Sequence, residues 1–304
     1  MSTTRVEQSI RALEDTANKE YAKKPDEEGR GFRPSRIPVH ILLVIFSILM
    51  FIPFLWMVFS AFKPLDEIFL RPPKLLPNNW TVDGFRTAWE GAPFASAFFN
   101  SFYIATASTL LALLLCAMGG YGFAKFRFPG RSVLFGVVIA TLAIPFVVVL
   151  VPLFVMMRNT FHWVDTPWPL IIPFAANAFG IFFMRQYMLS IPDELIDAAR
   201  VDGASELKIF LRIILPVCRP ALTALGIILF IASWNNFLWP LVILVSEDNW
   251  TLPLTLRSLH GPPGRTAFDV LMAGSVVSTL PLFVLFLLLQ RRLVAGIMAG
   301  TVKG

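Results

Sequence analysis

Charged residues are scarce in this chain. Only 15% of its 304 residues are Asp, Glu, Lys or Arg, whereas 56% are hydrophobic, and the mean hydropathy is +0.68. A soluble chain of this length carries charge at about a quarter of its positions. The composition therefore argues against a soluble globular protein and predicts an integral membrane protein.

Six apolar runs are long enough to cross a bilayer as helices, because each has about 20 residues or more. They lie at 40–62, 97–123, 133–157, 169–188, 220–246 and 268–290. The runs are continuous and lack the alternation of barrel strands. The sequence predicts an all-α integral membrane protein whose six transmembrane helices form one domain over residues 38–292.

Ionisable residues are missing from the central part of every predicted span. The three histidines, His40, His162 and His260, lie at span ends or in loops. A proton- or sodium-coupled carrier usually keeps a carboxylate or a histidine near the membrane midplane. A membrane metalloenzyme or haem protein needs His or Cys ligands that face one another in the bundle. The sequence indicates neither class.

A phosphate-binding loop of the type G-x-x-x-x-G-K-[ST] is also missing, so the chain cannot itself hold ATP in such a loop. Energy for transport must come from another subunit, unless the protein is a passive channel or a secondary carrier for a polar solute. Cys116 and Cys218 lie far apart and show no metal-ligand spacing. We therefore expect no structural disulfide, no metal site, no catalytic residue and no cofactor bound by this chain.

The polar segment between the fourth and fifth spans, residues 185–219, has a helical pattern of its own. Pro192 favours a helix start, and Asp193 suits the positive end of a helix dipole. Gly203 suits a helix stop, because glycine adopts the left-handed conformation without steric cost. A second helical run follows at 207–215 and ends at Pro216. The pattern predicts two helices joined by a sharp turn, a shape that docks into a partner's groove.

The same segment resembles the EAA loop of permease subunits of ABC importers. The matching residues are Asp197, Ala198, Ala199, Asp202, Gly203, Ala204, Ile213, Leu215 and Pro216. In that family the loop contains the coupling helix, which seats in a cleft of the ATPase subunit. The resemblance implies that these residues couple the chain to an ATPase. Asp197 stands where the family usually has Glu, which keeps the charge but shortens its reach by one methylene.

Other parts of the chain resemble the carbohydrate branch of that family, specifically the shorter permease of the maltose type. They are Ser60-Ala61-Phe62-Lys63-Pro64, Asn100-Ser101, Trp234-Asn235-Asn236-Phe237 and the end from Val294 to Gly304. The resemblance implies the type I permease fold and a role in ATP-driven import of an oligosaccharide or related polar solute by alternating access. It also implies four kinds of interaction partner: a second permease in a heterodimer, two ATP-binding cassette subunits that use ATP and Mg, an extracytoplasmic solute-binding protein, and the lipid bilayer. Nucleic acid is not expected.

The distribution of Lys and Arg predicts the orientation. Most of these residues lie before the first span, between the second and third spans, in 185–219 and after the sixth span. By the positive-inside rule, both termini and the 185–219 loop are cytoplasmic. The resemblance implies the inner membrane of a bacterial or archaeal cell. Residues 1–37 are predicted to be a partly disordered tail without a cleavable signal peptide, and 293–304 a short second tail.

Uncharged polar residues and aromatic residues in the spans are the candidates for a solute path. They are Trp234, Asn235 and Asn236 in the fifth span and Asn177 in the fourth. Amides bond sugar hydroxyls, and aromatic rings contact the C–H faces of a sugar. The alternative is that the amides join helices as packing contacts. The companion permease could also hold most of the sugar contacts.

Prolines and glycines within the spans predict local features of helix shape and packing. Pro145, Pro152, Pro240 and Pro281 break the helical hydrogen-bond ladder locally. Gly119, Gly120 and Gly122 allow another backbone to approach closely.

Overall fold

The structure is a computed structural model that describes residues 37–91, 93–259 and 267–299, with side chains described as far as Gln290. The predicted N-terminal tail, apart from Ile37, and residues 300–304 lie outside this part. All regular elements in these ranges are helical, and they contain no strand. The predicted all-α class is confirmed.

The chain divides into two units, one ending at Phe54 and the other beginning at Leu55. Of the first unit, the structure describes residues 37–54, which form most of helix α1 (Ile37–Ser60). The side chains of these residues are exposed. Since an 18-residue stretch of α1 has a mean hydropathy of 2.8, this surface suits hydrocarbon better than water.

The second unit is built around a long central helix, α4 (Phe94–Lys125). Its 32 residues extend about 48 Å at 1.5 Å per residue. Two helices pack directly on α4, namely α8 (Ala178–Leu189) and α11 (Arg219–Trp234). A third helix, α14 (Phe268–Ala299), packs on α11. The remaining helices are α2 (Leu65–Ile68), α3 (Asp83–Gly91), α5 (Arg131–Ala143), α6 (Phe146–Phe161), α7 (Trp168–Ile171), α9 (Asp193–Val201), α10 (Glu206–Val217), α12 (Leu238–Ile243) and α13 (Leu252–Ser258).

Among the described residues, three helices are long and apolar enough to cross a membrane: α1, α4 and α14. Two bent pairs raise the number to five if each pair counts as one span. The first pair, α5 and α6, bends by 100° within the third predicted span. Pro145 takes an extended backbone conformation just before α6 and begins the new helix, as expected of a residue without an N–H group. The second pair, α10 and α11, bends by 77°.

The fourth and fifth predicted spans are interrupted, so the expectation of continuous helices there is wrong. In the fourth, residues 172–177 separate α7 from α8. Pro173 lies in this break, and the Asn177 side chain accepts a hydrogen bond from the Gly180 N–H and starts α8. In the fifth, α11 ends at Trp234 and α12 begins at Leu238.

The segment after α1 forms an irregular ledge that contains the short helices α2 and α3. The Glu67 carboxylate accepts hydrogen bonds of 2.9 Å from the Asn78 and Asn79 N–H groups and from the Asn79 side chain. Burial acts to raise the pKa of Glu67, but these hydrogen bonds outweigh it and hold the pKa below its ordinary value. The Lys63 ammonium donates to the Lys74 carbonyl at 2.5 Å.

Close packing of α4 against α8 depends on two glycines. A Cβ atom on Gly120 would lie 2.7 Å from the Cβ of Met184, and one on Gly180 would lie 2.5 Å from the Sγ of Cys116. The predicted close approach at Gly120 is confirmed. At Gly122 the prediction is wrong, because a Cβ there would meet no atom within 4 Å in the described structure.

Candidate functional site

Helix α9 forms the first arm of the predicted hairpin. It begins at Asp193 directly after Pro192, whose backbone is extended, and it ends at Val201. Gly203 has a φ of 75°. The N–H groups of Gly203 and Ala204 donate to the carbonyls of Arg200 and Ala199, both at 3.0 Å, which closes the helix as a Schellman motif. The predicted helix and its glycine stop are confirmed.

Helix α10 forms the second arm. It begins at Glu206, one residue before the predicted start, and the Ser205 hydroxyl caps it by accepting from the Lys208 N–H. The helix passes Pro216 and ends at Val217, although the sequence predicts an end at the proline. A π-helical turn at Phe210–Ile214 precedes the proline. In a π-helical turn, carbonyls accept hydrogen bonds from N–H groups five residues ahead and not four. The helix can therefore continue although Pro216 has no N–H group to donate.

The inner face of the hairpin is buried. Ile196 and Ala199 of α9 and Ile209 and Ile214 of α10 belong to one apolar cluster, which also contains Tyr121, Ala124, Met184, Met188 and Leu225 from α4, α8 and α11. The two arms therefore share one apolar cluster with α4, α8 and α11.

Polar contacts fasten the arms to each other and to α4. Arg200 Nε lies 2.7 Å from Glu206 Oε1, and Arg200 Nη1 lies 2.9 Å from Asp197 Oδ1. The Tyr121 hydroxyl donates to Glu206 Oε2 at 3.1 Å. The hydrogen bond from Arg200 is the main reason that the pKa of Glu206 lies below its ordinary value.

Lys125, at the end of α4, holds the start of α9. Its Nζ donates to the Asp193 carboxylate at 2.6 Å and to the Ile191 carbonyl at 2.5 Å. The hydrogen bond from Lys125 lowers the pKa of Asp193. The anchored carboxylate also lies in the first turn of α9, where the helix dipole favours negative charge.

The outer face of the hairpin is open and carries both apolar and charged side chains. The spacing of three to four residues in the sequence predicts one apolar side for α9, formed by Leu195, Ile196, Ala198, Ala199 and Val201. The structure divides them, because Ile196 and Ala199 point inward whereas the other three are exposed, Val201 to 87%. Leu207 of α10 is also exposed.

The other predicted coupling residues occupy both faces of the hairpin. Asp197, Asp202 and Gly203 are exposed. Ala204, Ile213, Leu215 and Pro216 are half-buried at the base.

Two of the predicted solute-path residues, Asn177 and Asn236, line one cavity of about 150 Å³. Ser108 and Thr109 of α4 and Ser233 of α11 also line it. The hydroxyl oxygens of Ser108 and Ser233 lie 3.0 Å apart. Sequence reasoning missed Ser108 and Thr109, although adjacent hydroxyls inside an apolar span were a visible signal.

The other two predicted path residues lie elsewhere. Trp234 is 1% exposed, packs against Phe98 and Phe230, and donates its indole N–H to the Ser278 carbonyl at 3.2 Å. Asn235 is exposed at the end of α11. The structure therefore brings Asn177 and Asn236 together and leaves Trp234 in the packed core.

Comparison with known proteins gives the family. Residues 114–299 match the family described as binding-protein-dependent transport system inner membrane component. The chain is 39% identical over 270 residues to an arabinooligosaccharides transport system permease protein of Halalkalibacterium halodurans, with 87% of this chain and 96% of the relative covered. It is 34% identical over 271 residues to a lactose transport system permease protein of Rhizobium radiobacter, with coverage of 88% and 97%.

A solved structure has the same fold. The chain resembles a bacterial ABC transporter involved in the import of the acidic polysaccharide alginate, with a TM-score of 0.76 and 24% identity. The match covers 88% of this chain and 99% of that chain. This likeness confirms the predicted type I permease fold. The chain is thus a multi-pass membrane protein, and it belongs to the family of binding-protein-dependent transport system inner membrane components.

Proposed function

We propose that this chain is a permease subunit of an ATP-driven importer for an oligosaccharide or related sugar, and that the hairpin of α9 and α10 couples it to the ATPases. The observation that supports the coupling role is that the hairpin has one buried face and one exposed face. Its inner face is buried against α4, α8 and α11, while Leu195, Val201 and Leu207 remain exposed on the outside among charged residues. A buried base with exposed apolar side chains on its outer face is suited to transmit force from a docked partner.

The sugar class is supported by the relatives. The two permeases named above belong to systems for arabinooligosaccharides and lactose. A third relative, 32% identical over 270 residues, is a diacetylchitobiose uptake system permease protein of Streptomyces coelicolor. A passive channel or a secondary carrier, the alternative from composition, has no support among them.

The partners follow from the family and from the resemblance in the hairpin. We expect a second permease as the other half of a heterodimer, two ATP-binding cassette subunits that bind ATP and Mg, and an extracytoplasmic solute-binding protein. Such a binding protein is present in a structure of bacterial alginate ABC transporter, whose fold this chain shares at a TM-score of 0.61. We expect the ATPase subunits to carry out hydrolysis, and this chain to contribute neither a catalytic residue nor a cofactor site.

The orientation rests on charge. Lys125, Arg200 and Lys208 at the hairpin end belong to the basic side of the chain, which is cytoplasmic under the positive-inside rule. Both termini are then cytoplasmic in a bacterial or archaeal inner membrane. ATP-driven closure of the ATPases would pull α9 and rock the attached helices between inward-open and outward-open states.

Substitutions on the outer face test the coupling role. Val201→Asp places a charge on the exposed apolar surface, and Asp197→Lys reverses the charge beside it. Both variants should reduce co-purification of the ATPase subunits from membranes and reduce sugar uptake. Leu76→Asp is the matched control, since Leu76 is also exposed but lies in the ledge after α1. Unchanged co-purification of both hairpin variants would exclude this face as the docking surface.

A further inference from the structure

The turn between α4 and α5, residues 126–130, collects positive charge. Arg127 lies in the turn, Arg131 begins α5, and Arg185 belongs to α8; we call these three residues the arginine cluster. The guanidinium carbon of Arg185 lies 4.1 Å from the centre of the Phe135 ring of α5. The positive charge of Arg131 acts on that of Arg185. Because like charges repel, an anion bound beside the cluster would be stabilised.

The arginine cluster has no carboxylate partner among the described residues. The ion pairs in this part of the chain belong to other cations, which are Arg86, Lys125 and Arg200. Asp193 interacts electrostatically with Arg127, but its carboxylate is bonded to the Lys125 Nζ at 2.6 Å. The charge of the cluster is therefore left without a partner within the described structure.

Most N–H donors of the cluster are also unused within the described residues. Arg131 Nη1 donates to the Phe126 carbonyl at 3.1 Å, and Arg185 Nε donates to the Phe123 carbonyl at 3.2 Å. Arg127 donates no side-chain hydrogen bond to any described residue. Since each guanidinium group has five N–H donors, several remain for an acceptor from outside the chain.

A surface pocket of about 370 Å³ opens beside the cluster. Its described lining contains no acidic residue and consists of Arg127, Phe128, Gly130, Arg131, Ser132 and Val133. The guanidinium group of arginine matches the geometry of a phosphate and bonds it with two parallel hydrogen bonds. The hydroxyl group of Ser132 can donate another. The pocket therefore suits a phosphate group.

The surface of α5 changes from polar to apolar at this pocket. Arg131 and Ser132, at the start of the helix, are followed by Val133, Leu134 and Val137, each more than half exposed. This part of the helix surface suits hydrocarbon. A molecule that carries a phosphate on apolar chains would match both the pocket and the helix surface beyond it. A phospholipid has this structure.

We infer that the pocket binds the phosphate headgroup of an anionic phospholipid, whose acyl chains lie along α5. An anionic headgroup fits better than a zwitterionic one, because the ammonium group of a zwitterion would return positive charge to the arginine cluster. The cluster lies on the basic side of the chain, which is cytoplasmic under the positive-inside rule, and the cytoplasmic leaflet carries the anionic lipids. The inference goes beyond the proposed import function and assigns a lipid partner to this turn.

The first test measures protection of a thiol in the pocket. Ser132→Cys introduces an exposed thiol, whereas Cys116 and Cys218 are fully buried, so their background labelling is low. The assembled transporter, with its partner permease and ATPases, is placed in nanodiscs of phosphatidylcholine alone or mixed with phosphatidylglycerol. We expect phosphatidylglycerol to slow labelling by a small uncharged methanethiosulfonate several-fold. Thr160→Cys is the control, since Thr160 is also exposed but lies at the far end of α6, and its labelling should be the same in both lipids.

The second test removes one charge of the cluster in the Ser132→Cys background. Arg127→Gln should weaken the binding of phosphatidylglycerol about 5-fold, so that the same protection needs about 5-fold more of this lipid. Arg127→Lys keeps the charge but loses the planar fork, and its effect should be smaller. Arg158→Gln is the matched control, because it removes an exposed arginine near Thr160, and protection should be unchanged.

Four results would overturn the lipid site. Labelling that phosphatidylglycerol does not slow would show that the pocket holds no such lipid. Equal protection by inorganic phosphate in phosphatidylcholine nanodiscs would indicate a site for a soluble anion. Protection in both lipids that disappears when the ATPases are removed would assign the pocket to the ATPase interface. Equal protection in Arg127→Gln and Arg158→Gln would indicate an effect of general surface charge.

These measurements do not use sugar uptake. A result against the lipid site therefore leaves the proposed import function standing. Conversely, a transporter that imports no sugar but shows protection dependent on Arg127 would retain the lipid site.

Discussion

The Nε atom of Arg200 lies 2.7 Å from Oε1 of Glu206, and this ion pair joins the two arms of the hairpin across the turn at Gly203. Both side chains are about two-fifths exposed, at 40% and 43%. A pair this exposed contributes at most about 1 kcal/mol to stability. Its main effect is geometric, because it fixes the position of α9 relative to α10.

Arg200→Gln should therefore affect coupling more than stability. The variant loses the ion pairs with Glu206 and Asp197, and we expect the free energy of unfolding to fall by about 1 kcal/mol or less. The ratio of sugar imported to ATP hydrolysed should fall clearly, because the arms can move independently. Arg86→Gln is the control, since Arg86 forms an exposed ion pair with Glu90 within α3. Equal coupling ratios in the two variants would contradict the role of Arg200.

Gly203→Val should uncouple transport from hydrolysis while the complex still assembles. A Cβ at Gly203 would meet no described atom within 4 Å, so the cost is backbone strain at a φ of 75° and not a clash. This strain is about 1 kcal/mol or more for a β-branched residue. Gly130→Val carries the same strain at a φ of 79°, also with open space around the Cβ. Uptake and ATPase rates are measured together, and only Gly203→Val should lower the uptake per ATP hydrolysed. A similar loss in Gly130→Val would contradict the coupling role of the hairpin.

Gly120→Ala should damage the packing of α4 against α8. The new methyl group would lie 2.7 Å from the Met184 Cβ and 2.9 Å from the Arg185 backbone nitrogen, so the helices must separate. Overpacking of this kind costs about 1–3 kcal/mol. We expect a lower melting temperature in detergent and a lower yield. Gly122→Ala is the control on the same helix, because its methyl group would have no described atom within 4 Å, and its melting temperature should be unchanged. Equal losses of melting temperature in both variants would contradict the packing argument.

Asp165 provides a pH-dependent prediction. Its carboxylate accepts hydrogen bonds from the Val245 and Ser246 N–H groups, both at 2.9 Å, and from the Ser246 hydroxyl. Burial acts to raise the pKa of Asp165, but the hydrogen bonds from Ser246 and Val245 outweigh it and lower the pKa from 3.8 to about 2. Because the folded-state pKa is depressed, the stabilisation is complete above pH 3.8 and is lost as the pH falls towards 2.

Asp165→Asn should accordingly lower the melting temperature in detergent at pH 7. The gap between wild type and variant should narrow on acidification from about pH 4 towards pH 2, because the wild-type carboxylate becomes protonated over that range. Asp66→Asn, in the ledge after α1, is the control for removing an acidic charge outside the spans. A gap that stays constant between pH 7 and pH 2.5 would show that the ionised carboxylate is not the stabilising group.

The parts of the fold that the sequence predicts well are those set by local chemistry. Pro192, Asp193 and Gly203 act through backbone geometry within a few residues, so the ends of α9 follow from the sequence. The sequence analysis did not predict the helix breaks at 172–177 and 235–237. It placed the spans by their apolar runs, and an apolar run does not reveal a side chain that caps a helix, such as Asn177. An uncharged residue can interrupt a helix without interrupting an apolar run.

The solute-path residues show a second limit. Asn177 and Asn236 are 59 positions apart, and only the packing of α8 and α11 on α4 places them around one cavity. Trp234 was grouped with Asn235 and Asn236 because they are adjacent in sequence. Neighbouring helix positions point in different directions, and Trp234 lies in the core.

Under the proposed coupling role, the 77° bend between α10 and α11 makes the hairpin the short arm of a lever. The long arm is α11, whose 16 residues measure about 24 Å. A tilt of about 5° at the hairpin moves the far end of α11 by about 2 Å. Ser233 lies at that far end and lines the polar cavity with Asn177 and Asn236. A small movement of the hairpin at one membrane face then becomes a larger movement of one wall of that cavity.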